Sequence, residues 1–317
     1  MGLSKALSSR AVRGEFFWQL EERTRALWLP LVSDVFASDQ DIETYKFLGP
    51  VPPLAKWRGQ RPKKEPGVEK IAVTNEIFTS ALEFDVDDMR RDKTGQVLRR
   101  IGELSGKVAS LPQKVVSDLI NGELTPATKS YDGINFFGDH STSTRGTKLN
   151  NIPTAINATD HKNPTVAEMI TGVNLGVKTL LGATDVEGEP AHDGILEIAV
   201  VVPSDFAIPV SGAIRDLYQA SGTSNTLQSM IAAGELRARA VVNNRLTNPD
   251  ATNGYFYVVR SNGPVKPFMW QDELETQFDE LSGSDYEFFN NRRVFGVKRI
   301  GNAAFGEHGM IVRVQFN

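Results

Sequence analysis

Apolar positions along this chain recur with two distinct periods. Between Val97 and Leu119 they fall at Val97, Ile101, Leu104, Val108, Leu111, Val115 and Leu119, the three-and-four spacing of an amphipathic helix. From Val97 to Ile120 such a helix would be about 36 Å long, and Pro112 is expected to kink or divide it. Gly102 and Gly106, one turn apart, thin one face and allow close approach of a neighbouring backbone. A dimeric coiled coil is the rival reading, weakened by the stripe's short length and its proline. A second helix is predicted over 163–182. Thr165 and Glu168 form its capping box, Val166, Met169, Ile170, Val173, Val177, Leu180 and Leu181 its buried stripe, and Gly182 its end. Near the start, Phe17, Leu20, Thr24, Leu27 and Leu31 make a third stripe, with Pro30 as its terminator. It fits either a core helix or an arm packing on a neighbour.

The period of two marks the strands. Ile71, Val73, Ile77, Phe78, Leu82, Phe84 and Val86 read as a strand over 71–86, and Ile195–Val202 as a buried central strand closed by Pro203. Short helices are expected near Val210–Gln219 and Leu227–Ala233. Further strands are expected at Leu236–Leu246, Tyr255–Arg260, Val294–Ile300 and Met310–Phe316. Residues 50–70 hold five prolines and two glycines, which excludes a regular helix and suggests an extended loop or long hairpin reaching outward. Trp57, isolated in its middle, reads as a contact residue, with a core position as the alternative. Elements in this order make an α+β fold rather than a regular βαβ alternation.

Composition narrows the function. The 317 residues are 40% apolar and 23% charged, enough for a packed core in one large domain or two modest ones. The absence of cysteine excludes disulfides, thiolate metal sites and a cysteine nucleophile. No apolar run is long enough to span a bilayer, and the N-terminus has no secretory h-region. A net charge of −4 argues against tight DNA binding. The charge is uneven: Lys56, Arg58, Arg61, Lys63, Lys64 and Lys70 crowd one loop, whereas Asp272, Glu273, Glu275, Asp279, Glu280, Asp285 and Glu287 run without a single Lys or Arg. Such runs are commonly solvated faces. The sharper reading docks the basic loop on the acidic patch of another copy.

Catalytic signatures are missing. There is no phosphate loop, no H-E-x-x-H, no nucleophile elbow and no dinucleotide fingerprint. Three of the four histidines adjoin an aspartate, in Asp139-His140, Asp160-His161 and His192-Asp193. Lacking helical spacing, these are read as turn residues whose Asp side chains bond nearby backbone N–H groups, with a metal or acid–base site as the alternative. Asp85, Asp87, Asp88 and Asp92 are read as helix-start acids rather than a paired catalytic site. No metal or cofactor is expected.

Two phrases carry most of the remaining information. One is Glu43-Thr44-Tyr45-Lys46-Phe47-Leu48-Gly49-Pro50, continuing to Trp57, Gly59 and Arg61. The other is Tyr131-Asp132-Gly133-Ile134-Asn135-Phe136-Phe137-Gly138-Asp139-His140. With Asn75, Phe78, Asp92, Gly95, Pro112, Pro267 to Gln271, Phe295–Arg299 and Gly301–Gly306, their order and spacing resemble the major head subunit (gpT) of Mu-like bacteriophages. Ser141 stands where the family usually has proline, and Met89, Arg90 and Arg91 interrupt the acidic cluster.

The resemblance implies the Hong Kong 97-type capsid fold. An N-terminal arm would be residues 1–49, an E-loop 50–85, and a peripheral domain 86–183 with a spine helix at about 88–121. An axial domain would be 184–262, and closing peripheral strands 263–317. It implies a shell of hexamers and pentamers enclosing double-stranded DNA, held weakly and non-specifically. Portal, scaffold, protease or decoration proteins would be partners, and the virion head would be assembled in the host cytoplasm. Since the chain begins at Met1, scaffold and protease are expected to be separate proteins. Trp57, Arg58, Arg61, Lys63 and Lys64 would make contacts from the E-loop, and Asp272, Glu273, Glu275, Asp279 and Glu280 would receive them. Some relatives lock their shells with a Lys–Asn isopeptide bond. Lys63 or Lys64 with Asn290 or Asn291 would be its residues here, though nothing in their spacing demands it. An encapsulin-type compartment is the alternative shell, and a hydrolase built on the His–Asp pairs the alternative class.

Overall fold

The computed structural model describes residues 9–25, 28–48, 68–92, 94–123, 128–194, 196–219, 222–247 and 253–317. In chain order the elements are α1 (Ser9–Arg25), β1 (Ser33–Ala37), β2 (Ile42–Leu48), β3 (Val68–Thr74), β4 (Glu76–Asp85), α2 (Val86–Arg91), α3 (Gln96–Ala109), α4 (Leu111–Gly122), α5 (Val166–Leu181), β5 (Leu196–Val202), α6 (Ala207–Arg215), α7 (Thr226–Ala232), β6 (Leu236–Val242), β7 (Gly254–Arg260), β8 (Phe268–Leu281), α8 (Asp285–Asn290), β9 (Arg292–Phe305) and β10 (Ile311–Phe316).

One four-stranded sheet has the order β10-β7-β5-β6, and its central strands are buried on both faces. Ile198, Val200 and Val202 of β5 face a core with Met169, Val173 and Val177 of α5, Phe256 and Phe316. Ala199 and Val201, alternating with them, face Val116, Ile120, Phe136, Phe137 and Trp270. A strand covered on both sides reads as a continuous apolar run, which is why this one was legible. The α5 helix lies so close that a Cβ at Gly176 would strike the Val258 side chain. This layer is wider than the expected 184–262, because α5 and β10 complete it.

The second sheet has the order β1-β8-β9-β4, with β8 and β9 forming a long antiparallel hairpin. The acidic stretch 272–287, expected as a charged face, is the second half of β8 and the start of α8. The strands β1 and β2 were not foreseen. The strand expected over 71–86 is two strands, broken at Asn75. The Asn75 side chain donates to the Gln40 carbonyl at 2.8 Å and accepts from Gln271 at 2.8 Å, so the turn is pinned from two sides.

The long helix is three helices. Asp92 ends the first and starts the second: its carboxylate accepts the Val97 and Thr94 N–H groups, and those bonds, Val97 first, lower its pKa to about 2. At the far end, Pro112 occupies the first turn of α4 and has no N–H to continue α3, so the helix divides at Ser110. The α1 helix packs on α3 within the same chain, which selects the core reading over the arm reading. Its buried face is Val12 and Phe16, with Phe17 and Leu20 at the margin, so the stripe is rotated from the expected one and Thr24 is exposed. Gly102 and Gly106 make room for the Gln19 and Arg23 side chains of α1 rather than for a backbone.

Candidate functional site: a buried motif loop and two hairpins

The Tyr131–His140 phrase folds as a plug between the two sheets. Gly133 takes φ +84, a left-handed conformation that glycine adopts without strain, and this turns the chain after Asp132, whose carboxylate accepts the Ile134 N–H. Phe136 stacks on Phe305 with centroids 4.2 Å apart, and Phe137 meets Tyr257 at 5.5 Å. The Asn151 amide accepts the Gly138 N–H and donates to the Phe136 carbonyl, at 2.8 and 2.7 Å. The phrase therefore joins strands of both sheets into one core.

Its histidine bonds Asp132, not the adjacent Asp139. His140 Nδ1 lies 2.6 Å from Asp132 Oδ2 and Nε2 lies 3.2 Å from the Phe136 carbonyl. Both nitrogens face oxygen atoms of the same subunit. Burial opposes ionisation of Asp132, but the His140 hydrogen bond and the Ile134 N–H outweigh it and hold the carboxyl below its usual range. The His140 ring stacks on His308 at 3.8 Å and 9°. His308 Nε2 donates to the Thr147 carbonyl at 2.9 Å and Nδ1 lies 3.0 Å from the Ser130 hydroxyl. Burial pushes the His308 pKa down, favouring its neutral form. Tyr131 closes the cluster by donating to Glu307 at 2.9 Å, and burial followed by the Glu307 charge drives its phenol far above the usual range.

The donor atoms of Asp132, His140 and His308 lie within 4.8 Å of one another, a set that could hold a metal ion. Each is already committed to a protein hydrogen bond, and a metal would have to displace them. The other adjacent pairs also part company. Asp160 caps the Lys162 N–H, while His192 accepts from Arg260 at 2.7 Å through Nδ1 and donates to the Gly309 carbonyl at 2.9 Å through Nε2. His308, central to the cluster, carried no signal in the sequence: it has no adjacent aspartate, and its partner Ser130 is 178 residues away.

Two hairpins flank or carry the expected contact residues. The strands β2 and β3 form a separate antiparallel ribbon from Ile42 opposite Thr74 to Leu48 opposite Val68. The residues between them, including Trp57, Arg58, Arg61, Lys63 and Lys64, lie outside the described residues. The strand β4, placed by sequence within the E-loop, belongs to the four-stranded sheet instead. The expected acidic patch is divided. Asp272 is paired with Arg299, which also lies over the Trp270 ring at 5.3 Å, and Glu280 is 3.8 Å from Arg293. Glu275 and Asp279 are exposed and Glu273 is half-buried.

Comparison with known proteins points one way. A sequence model described as "Mu-like prophage major head subunit gpT" matches residues 8–166, half of the chain. The procapsid of bacteriophage JBD30 contains a chain 17% identical, with a TM-score of 0.51 over 97% of this chain and 75% of that one. The capsid of cyanophage P-SCSP1u gives a TM-score of 0.57 at 10% identity, over 90% of this chain and 86% of that one. A virus-like particle from Pyrococcus furiosus gives 0.55 at 8% identity, over 96% and 98%. No curated protein matches. The fold is that of the HK97-like phage major capsid proteins.

Proposed function

This chain belongs to the Mu-like prophage major head subunit gpT family, and from that premise we propose how its shell is built. The protein is a capsid subunit that forms the head shell of the virion. Its copies assemble as hexamers and pentamers, closing an icosahedral head around double-stranded DNA. Head-to-tail contacts close rings when the rotation between subunits permits. The carrying observation is the family match over half of the chain, joined to a fold shared with phage capsids along nearly all of it.

The role is structural rather than catalytic. In support, the motif loop uses its Asp and His groups to hold two sheets together, and each ligating atom already has a partner within the subunit. Assembly takes place in the host cytoplasm with portal, scaffold, protease and decoration proteins as partners, and DNA is held weakly, in keeping with the −4 charge. The encapsulin alternative shares the fold; the family match favours the phage head.

Electron microscopy and sedimentation of the purified protein test this. Uniform shells, filled with DNA and bearing a tail vertex when taken from the native source, are expected. Enzyme-filled shells without a portal would favour the compartment, and small oligomers alone would reject a shell. Trp57→Ala, or reversing the charges of Lys63 and Lys64, is expected to reduce assembly while the subunit still folds. Normal particles from both variants would remove the basic loop from the account.

A further inference from the structure

The tip of the β8–β9 hairpin is built to present two aromatic rings to solvent. The α8 helix holds Phe288 and Phe289 at 83% and 80% exposure, packed edge to face with centroids 5.3 Å apart. The tip is held in place by several bonds. Glu287 accepts the Gly283 N–H at 2.6 Å and Arg293 Nη2 at 2.7 Å, and Tyr286 donates to Glu83 at 2.5 Å. A fixed pair of exposed rings gives up little conformational entropy on binding. Apolar surface displayed in this way marks a contact.

The same chain offers a matching recess. Between α3, the start of α4, and strands β4 and β9 lies an open groove of about 390 Å³, lined by Ile77, Leu104, Val108, Leu111 and Val297, with Lys107 and Lys298 at its margin. No carboxylate lines it, and neither lysine has an ion-pair partner among the described residues. The tip segment Asp279–Asn291 holds Asp279, Glu280, Asp285 and Glu287 and no Lys or Arg. Arg293 offsets part of this charge by pairing with Glu280 and Glu287, and the four acids still leave the tip net negative, opposite in sign to the groove it matches in polarity. The 49–67 loop carries the same sign as the groove, which makes it a poorer occupant.

A subunit cannot fill its own groove. Asp85 pairs with Arg292 beside the tip, whereas Ile77 pairs with Ile300 beside the groove. Eight residues of strand separate them, roughly 27 Å along a hydrogen-bonded sheet. We infer that Phe288 and Phe289 of one copy seat in the α3–β4 groove of a neighbouring copy, as a head-to-tail contact of the shell. This rests on the shell-forming role.

The cysteine-free sequence makes the test clean. Assembled particles of an Ile77→Cys/Phe289→Cys double variant are oxidised and run on a non-reducing gel. A ladder of linked chains that collapses with reductant is expected, while each single variant stays monomeric; the intrachain distance is far beyond the ~7 Å limit for a disulfide. Particles of the double variant that give no ladder, or dimers from Phe289→Cys alone, would overturn the contact and leave the shell role standing. A wild-type chain that forms no particles would remove both. As a second readout, Phe288→Ser/Phe289→Ser should melt like wild type and yield at least tenfold fewer particles. Wild-type yield from that variant would overturn the inference.

Discussion

Phe136–Phe137 and Phe288–Phe289 are adjacent aromatic pairs with nearly the same geometry: centroids 5.1 and 5.3 Å apart, both at 82°. Their environments are opposite. The first pair is 0% and 2% exposed between two sheets, while the second stands in solvent at a hairpin tip. The first is followed by Gly138, whose N–H is bonded by Asn151, and by a histidine whose two nitrogens both find acceptors within the subunit. The second is surrounded by acids that orient the tip but do not cover the rings. The phrase most diagnostic of the family braces a single subunit. The chemistry of assembly is displayed where the sequence looks like an ordinary charged run.

The largest test of this division is truncation of each pair. Phe136→Ala should cost about 3–5 kcal/mol in denaturant unfolding, because it empties a ring-sized space in a core that cannot collapse. Phe289→Ala should move subunit stability by less than about 0.5 kcal/mol and show its effect only in particle yield. Equal destabilisation by the two would break the comparison. Next in size is Asp132→Asn, expected to cost about 3 kcal/mol. Its carboxylate, on a side chain only 1% exposed, is the hydrogen-bond partner of a buried imidazole, and replacing it leaves a buried polar group poorly satisfied. A loss below ~1 kcal/mol would mean that the histidine is held by packing alone.

A smaller effect is the pH dependence. Burial lowers the folded pKa of His308 and His192 below the unfolded value of about 6.5. The unfolded chain therefore binds more protons below that value, and stability is complete above it and falls as pH drops towards the folded values. Melts between pH 7 and 5 should show a slope of up to ~1.4 kcal/mol per pH unit for each histidine, and His308→Gln should flatten it. Asp132 behaves otherwise: its folded pKa is depressed, so its contribution holds across this window and is lost only in more acidic solution, below ~4. A flat profile for the wild-type subunit would contradict the neutral assignment of His308. Smallest is Thr165→Ala, which removes one half of a reciprocal capping box and should cost about 1 kcal/mol in thermal unfolding.

What was legible follows from how locally each feature is encoded. The α5 helix, with its capping box, and β5 needed only neighbours three, four or two residues away, and both fell where the pattern put them, although Leu181, read into the buried stripe, is exposed. The division at Pro112 followed from the missing N–H. The strand half of 272–281 was hidden because its carboxylates alternate with apolar residues only in part, and their arginines, Arg293 and Arg299, come from the paired strand. The His140–His308 stack was invisible for the same reason: contacts between distant segments leave no period. The Asp139 and Asp160 side chains cap the Ser141 and Lys162 N–H groups, as their turn positions suggested, whereas the bond from His140 to Asp132, eight residues away, carried no local signal.

A cryo-electron microscopy map of the assembled particle, at a resolution that shows side chains, tests the division of labour most directly. The account predicts the Asp132–His140–His308 junction enclosed within each subunit, and density for Phe288 and Phe289 against Ile77 and Leu104 of a neighbour. A junction lying on a subunit boundary, or tip rings left in solvent, would contradict it.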